Sequence, residues 1–191
     1  MLSYTYDASD KDNETWLYLS ALGKVKRIAS GSDDEETEPT SMFGSEISTE
    51  DQETGKLDDY TYTILQRGTY KGRPVAVIES VPTPQRLQHT RYGKVRTWLD
   101  TERFLSLKIQ MFDKHGNAIK QVSVAQVEEI NGIWLARSMT FKNLVSQRLT
   151  NMKITAITFG LNIEEGFITQ RALTDQAFRQ RHLKTLREQA Q

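Results

Sequence analysis

Residues 127–141 read VEEINGIWLARSMTF, two runs of alternating character joined by Asn131-Gly132. A two-residue type I′ turn needs positive φ at both central positions, which these two residue types tolerate best. Strands over 122–130 and 133–141 are therefore expected to pair directly. Alternation puts Ile133, Leu135, Arg137, Met139 and Phe141 on one face and Trp134 on the other. Upstream, FLSLKIQMF places Leu105, Leu107, Ile109 and Met111 on one face in the same way.

Working outward, the same signals recur. YTYTILQR and RPVAVIES flank a turn over residues 68–72, VRTWLD precedes FLSLKIQMF, and Asp113-Lys-His-Gly-Asn117 leads into AIKQVSVAQVEEI. LTNMKITAITFG supplies a further strand, and LSYTY, TWLYL and KVKRI make an opening meander. The sum is about nine antiparallel strands in meander order, which favours a strongly curved sheet or partly open barrel. Residues 29–57 are rich in Ser, Thr, Gly and acid, a composition that buries too little to offset its ordering entropy, so they are expected to form a mobile loop with a short helical turn near residues 46–52. At the C-terminus, residues 174–191 change period: Phe178, Leu183 and Leu186 recur at helical spacing among charges, and Thr174 with Asp175 can cap an amphipathic helix. The expected division is a sheet domain over 1–173 and this helix over 174–191.

The 191 residues suit one domain of ordinary size, and 37% hydrophobic residues is a low share, so either one segment is unstructured or much of the sheet faces water. Lys plus Arg equals Asp plus Glu at 25 each, which gives no global basic field to attract nucleic acid or an anionic membrane. The absence of cysteine removes disulfides, thiol nucleophiles and most structural zinc sites. No apolar run approaches the roughly 20 residues of a spanning helix, and the opening MLSYTYDASD lacks the basic start and apolar run of a secretory signal.

Catalytic constellations are sparse. His89, His115 and His182 fall in a loop, a turn and the terminal helix without metal-ligand spacing, and each reads as a surface histidine. The pairs Asp58-Asp59, Glu128-Glu129 and Glu164-Glu165 sit on adjacent positions, which in a strand point to opposite faces and form no dyad. There is no GxSxG elbow or Gly-rich phosphate loop. No enzyme, metal or cofactor is expected; a lipid or sugar hydrolase would have to use Arg137 with Glu79 or Glu128. The apolar lining remains: Trp98, Leu107, Ile109, Met111, Trp134, Leu135, Arg137 and Met139 are candidate walls of a hydrophobic binding cavity, with ordinary core as the alternative for each. Arg137 could cap an acidic or phosphate headgroup, or sit near the strand's edge.

The succession TWLYLSALGKVKRI, SMFGSEISTED, DDYTYTIL, YKGRPVAVIES, YGKVRTWLD, VEEINGIWLARSMTF and GFITQRAL resembles the outer-membrane lipoprotein-sorting protein family, a branch of the LolA/LolB-like superfamily, over nearly the whole chain to Leu173. The resemblance implies a mainly β (α+β) fold, a strongly curved antiparallel sheet forming an unclosed half-barrel, here with a C-terminal helix. It implies a periplasmic carrier or chaperone, its leader removed or trimmed, that binds lipoprotein acyl chains or another lipid for outer-membrane sorting. An outer-membrane acceptor or an RND-type transporter is the implied partner; the competing reading is a non-enzymatic interaction module of an RND-type export system. Members begin with a helix and early strands that this sequence lacks before residues 2–6, so that segment is expected to be an exposed sheet edge on which a homodimer could pair.

Overall fold

The structure is a computed structural model that describes residues 1–6, 11, 13–20, 22–28, 41–52 and 55–190. It contains two compact units, residues 1–30 with 156–191 and residues 31–155.

The larger unit is built on seven antiparallel strands: β4 (Tyr60–Tyr70), β5 (Arg73–Pro82), β6 (Lys94–Asp100), β7 (Leu105–Phe112), β8 (Ala118–Ile130), β9 (Ile133–Asn143) and β10 (Leu149–Lys153). Each pairs with its neighbour in sequence, from β10 at one edge to β4 at the other, and the two edges do not join. Asn131 and Gly132 have φ of 53° and 78°, the paired positive values of the expected type I′ turn, and Ile130 stands opposite Ile133. The turn between β4 and β5 is tighter than the sequence suggested: Gly68 lies within the strand, and Lys71-Gly72, with φ of 50° and 77°, makes the reversal. A short helix, α1 (Pro84–Leu87), leads from β5 toward β6, and the Thr83 hydroxyl accepts from the Arg86 N–H at its start. Gly93 closes that connection because a Cβ there would lie 2.5 Å from the Asp113 carbonyl oxygen.

The sheet is strongly curved. Lys71 Nζ, at the tip of the first hairpin, donates to the Val124 carbonyl of β8 at 3.2 Å. In a flat sheet β5 and β8 lie roughly 14 Å apart, beyond a lysine side chain, so the strands between must coil. Irregular registers at Trp98/Leu99, Met111/Phe112 and Val124/Gln126 supply the bends.

Of the expected mobile loop, residues 29–40 and 53–54 lie outside the described residues; 41–52 are tied down as a strap. Ser41 bridges Ser48, Ile47 joins a buried cluster with Tyr92, Met111, Val122 and Phe141, and Met42 packs against it. The composition misled because a few anchors suffice. The Asp51 carboxylate is buried and accepts from Lys120 Nζ at 2.5 Å, Tyr92 Oη at 2.7 Å and the Ser48 N–H at 2.7 Å. Burial, then the neighbouring Asp51 charge, pushes the Tyr92 phenol well above its ordinary range. Glu46 accepts from Asn143 at 3.0 Å and pairs with Arg148 at 3.0 Å.

The smaller unit is a separate sheet rather than the start of the long meander. Its order is β1 (Leu2–Tyr4), β2 (Glu14–Leu19), β3 (Lys24–Ile28), with two helices, α2 (Gln170–Thr174) and α3 (Gln176–Gln189). The expected edge at residues 2–6 is a strand only to Tyr4 and pairs with β2 on one side. The Asp175 carboxylate caps α3 by accepting from the Phe178 N–H at 2.9 Å. Leu2, Trp16 and Ala172 are buried, and the Tyr4 ring meets Trp16 edge-on at 5.3 Å. Thus the terminal helix belongs to a unit with the first strands, not to a separate segment after residue 173. His182 of α3 is half-buried between the Phe167 and Phe178 rings, whereas His89 and His115 are exposed.

Two ion pairs generate expectations about stability. Asp100 is fully buried and accepts from Arg73 Nε at 2.9 Å and the Glu102 and Arg103 N–H groups at 3.0 and 3.1 Å. The Arg73 hydrogen bond leads in holding its carboxyl at about 2, below the ordinary 3.8. A carboxyl depressed on folding contributes stability that is complete above 3.8 and disappears as pH falls toward 2. Asp100→Asn is therefore expected to lose about 3 kcal/mol at neutral pH and to flatten that acid limb, measured by urea denaturation across pH. Asp51→Ala is expected to cost about 3–5 kcal/mol because Lys120 stays buried without its partner, and adding Lys120→Met should restore most of it. A double variant as unstable as the two single losses summed would show that the strap does not depend on this pair.

Candidate functional site

The candidate residues separate by register into two faces. Across the sheet Ile78, Thr97, Ile109, Val122, Phe141 and Thr150 stand directly opposite one another in turn, so they share a face. Val95 with Met111, and Val124 with Met139 and Met152, flank that row on the same side by alternation. This is the face on which the strap lies. Leu107 and Met111 are buried, while Ile109 and Met139 are partly buried against the same cluster. Lys120, opposite Met111, is the one cation in that stretch, and Asp51 neutralises it. An apolar surface rich in thioethers results; such side chains fill irregular shapes and adapt to them.

Leu135 and Arg137 continue this face toward the Asn131-Gly132 turn. Arg137 is engaged within the sheet: its Nε pairs with Glu128 at 2.9 Å, and its Nη2 donates to the Thr155 carbonyl at 3.0 Å. The pairing of Leu135 with Glu128 explains the contact, since both then lie on the Arg137 side. Glu79, the other acid nominated beside Arg137, lies on the opposite face. It is held there by Arg96 at 2.8 Å and Lys94 at 3.5 Å, and the Arg96 hydrogen bond leads in lowering its carboxyl below the ordinary range. Of the two acids nominated beside Arg137, Glu128 meets it and Glu79 does not.

The two tryptophans also leave the apolar face. Trp98 stands between Val77 and Lys108, and Trp134 opposite Glu129, in the alternate rows. Both are half-buried, each with a cation over its ring: Lys108 Nζ is 4.3 Å from the Trp98 centroid and the Arg103 guanidinium 3.9 Å from that of Trp134. Of the eight candidates, Ile109, Met111 and Met139 pack in one cluster, Leu107, Leu135 and Arg137 share its face by alternation, and Trp98 and Trp134 lie on the other face. Sequence reasoning missed Asp51, Tyr92 and Lys120; a lysine in the alternating run AIKQVSV, at a core-facing position, was the available signal. Among the described residues no group of three or more His, Cys, Asp or Glu could hold a metal ion, and no helix is long and apolar enough to cross a membrane.

A family model described as "Uncharacterized protein" matches residues 1–175. No curated protein matches the chain. Among solved structures, a domain from Vibrio parahaemolyticus described as an outer membrane lipoprotein-sorting protein domain superposes with a TM-score of 0.79 at 25% identity, over 90% of this chain and 69% of that one. A DUF1329 family protein from Desulfovibrio piger gives 0.80 at 22% identity with the same coverage, 90% and 69%. A LolA superfamily protein from Nitrosomonas europaea gives 0.58 at 14% identity, over 82% of this chain and 66% of that one. The chain belongs to the family that the matching model describes, and it shares its fold with that lipoprotein-sorting protein domain and with the LolA superfamily protein.

Proposed function

We propose that the protein is a non-enzymatic periplasmic carrier that holds an acyl chain, of a lipoprotein or of another lipid, against the apolar face of its seven-stranded sheet. The observation that carries this reading is the one-sidedness of the sheet: Ile109, Met111, Val122, Met139 and Met152 gather on one face, beneath a strap of residues 41–52. The likeness to a domain described by its role in lipoprotein sorting gives that face a use. Binding by desolvation needs no reacting group. A chain of a dozen methylenes supplies roughly 10 kcal/mol at about 0.8 kcal/mol each, and association costs leave micromolar affinity.

The test is a titration with a fluorescent long-chain acyl probe, followed by displacement with unlabelled lipid and lipopeptide. Saturable, displaceable micromolar binding is expected. Met139→Glu should weaken it at least tenfold while thermal melting remains cooperative, and Thr140→Glu, one residue away on the other face, should leave it unchanged. Absence of saturable binding, or equal loss in both variants, would overturn the carrier reading in favour of a non-enzymatic interaction module.

A further inference from the structure

We propose that the opposite face of the seven-stranded sheet docks on an anionic lipid surface. This face is defined by two rows of directly paired residues. One runs Glu79, Arg96, Gln110, Gln121, Lys142, Leu149, and the other Val77, Trp98, Lys108, Ser123, Thr140, Asn151. Lys94, opposite Phe112, and Lys153, opposite Ser138, extend the surface by alternation. From β6 to β10 the residues of these two rows are half-buried or exposed, whereas Val77 on β5 and Phe112 beside Lys94 are buried.

Its charge leans positive even though the same alternation adds two carboxylates beyond the rows, Asp100, which Arg73 neutralises, and Glu129 opposite Trp134. Lys94 and Arg96 share Glu79, the one carboxylate in the two rows. Among the described residues Lys108, Lys142 and Lys153 have no carboxylate within ion-pair distance. The rings are already engaged by cations: Lys108 lies over Trp98 at 4.3 Å, and Lys94 and Arg96 over Phe112 at 5.1 and 5.0 Å.

This arrangement selects among anionic partners. A discrete phosphate or carboxylate is held by donors that converge on it, but Lys108 on β7 and Lys142 on β9 are two strands, roughly 10 Å, apart. No single anion satisfies both, whereas a surface carrying many phosphates does. Single-stranded nucleic acid gains its affinity by stacking bases on open aromatic faces, and here the cations occupy them. The chain as a whole is neutral, so the attraction acts only at contact, the regime of lysines within a Debye length of a charged bilayer. Long lysine stems also suit the interfacial layer. The inference does not depend on the carrier reading, because it concerns the other face.

The experiment is vesicle co-sedimentation of the full chain, comparing pure phosphatidylcholine with phosphatidylcholine partly replaced by phosphatidylglycerol. At least tenfold stronger binding to the anionic vesicles, weakening as salt rises, is expected. Lys108→Gln with Lys142→Gln should reduce it by roughly 25-fold, about fivefold for each lysine, with unchanged melting. Lys26→Gln, an exposed lysine on β3 of the smaller unit, should have little effect. Equal affinity for the two vesicles, binding to neither, an equal loss in the Lys26 variant, or binding to polyuridylate without vesicle binding would each overturn the proposal.

Discussion

The Asn131-Gly132 turn fixes Ile130 opposite Ile133, and the pairing of the two longest neighbouring strands follows from it. Side chains in a strand alternate with period two, so a slip of one residue would exchange the faces throughout. With this register, Val122 meets Phe141 and Val124 meets Met139 on one side, while Ser123 meets Thr140 and Gln121 meets Lys142 on the other. Which side chains share a face across the whole sheet rests on that choice. The turn works because Asn and Gly accept positive φ at little cost, which spares the strands any adjustment where they reverse.

Curvature is the second constraint, and it comes from places where the register breaks. Between Val124 and Gln126 the two strands lose their one-to-one pairing, and the Val124 carbonyl there accepts from Lys71 three strands away. At the same end of the sheet Arg103, in the β6–β7 connection, reaches Trp134 on β9. Polar and cationic side chains at the hairpin tips hold the coiled sheet at this end. At the other end the strap does so through Asp51, Lys120 and Tyr92. The buried carboxylate is fully provided with donors, which is the condition under which a charge can remain inside a protein.

Much of this was legible in the sequence because it depends on local chemistry. Alternation in GIWLARSMTF and FLSLKIQMF assigned Leu107, Ile109, Met111, Leu135 and Met139 to one side, and Asp175 before a helical period marked the start of the last helix. What was not legible depends on residues far apart in the chain. Asp51 and Lys120 are 69 positions apart, and nothing near Asp51, in a stretch of Ser, Thr and acid, signals that it will be buried. Trp98 and Trp134 were placed with the lining on residue type, whereas their parity puts them with Lys108 and Glu129. The first three strands carry the same alternation as the rest, so alternation could not reveal that they form their own sheet.

Composition, read alone, hid the asymmetry that gives the molecule its two sides. Equal numbers of acids and bases exclude a global field, yet the register concentrates Lys108, Lys142 and Lys153 on a face whose paired rows hold only Glu79. The low apolar share has the same origin. A single curved sheet has one face to keep dry and one to keep wet, so half of its strand positions take polar residues without weakening the core. The edge strand β4 goes further, with residues 61–69 exposed on both sides. The 37% hydrophobic content therefore follows from an open sheet whose edge strand is exposed and whose second face takes mostly polar residues, Val77 and Phe112 being buried exceptions.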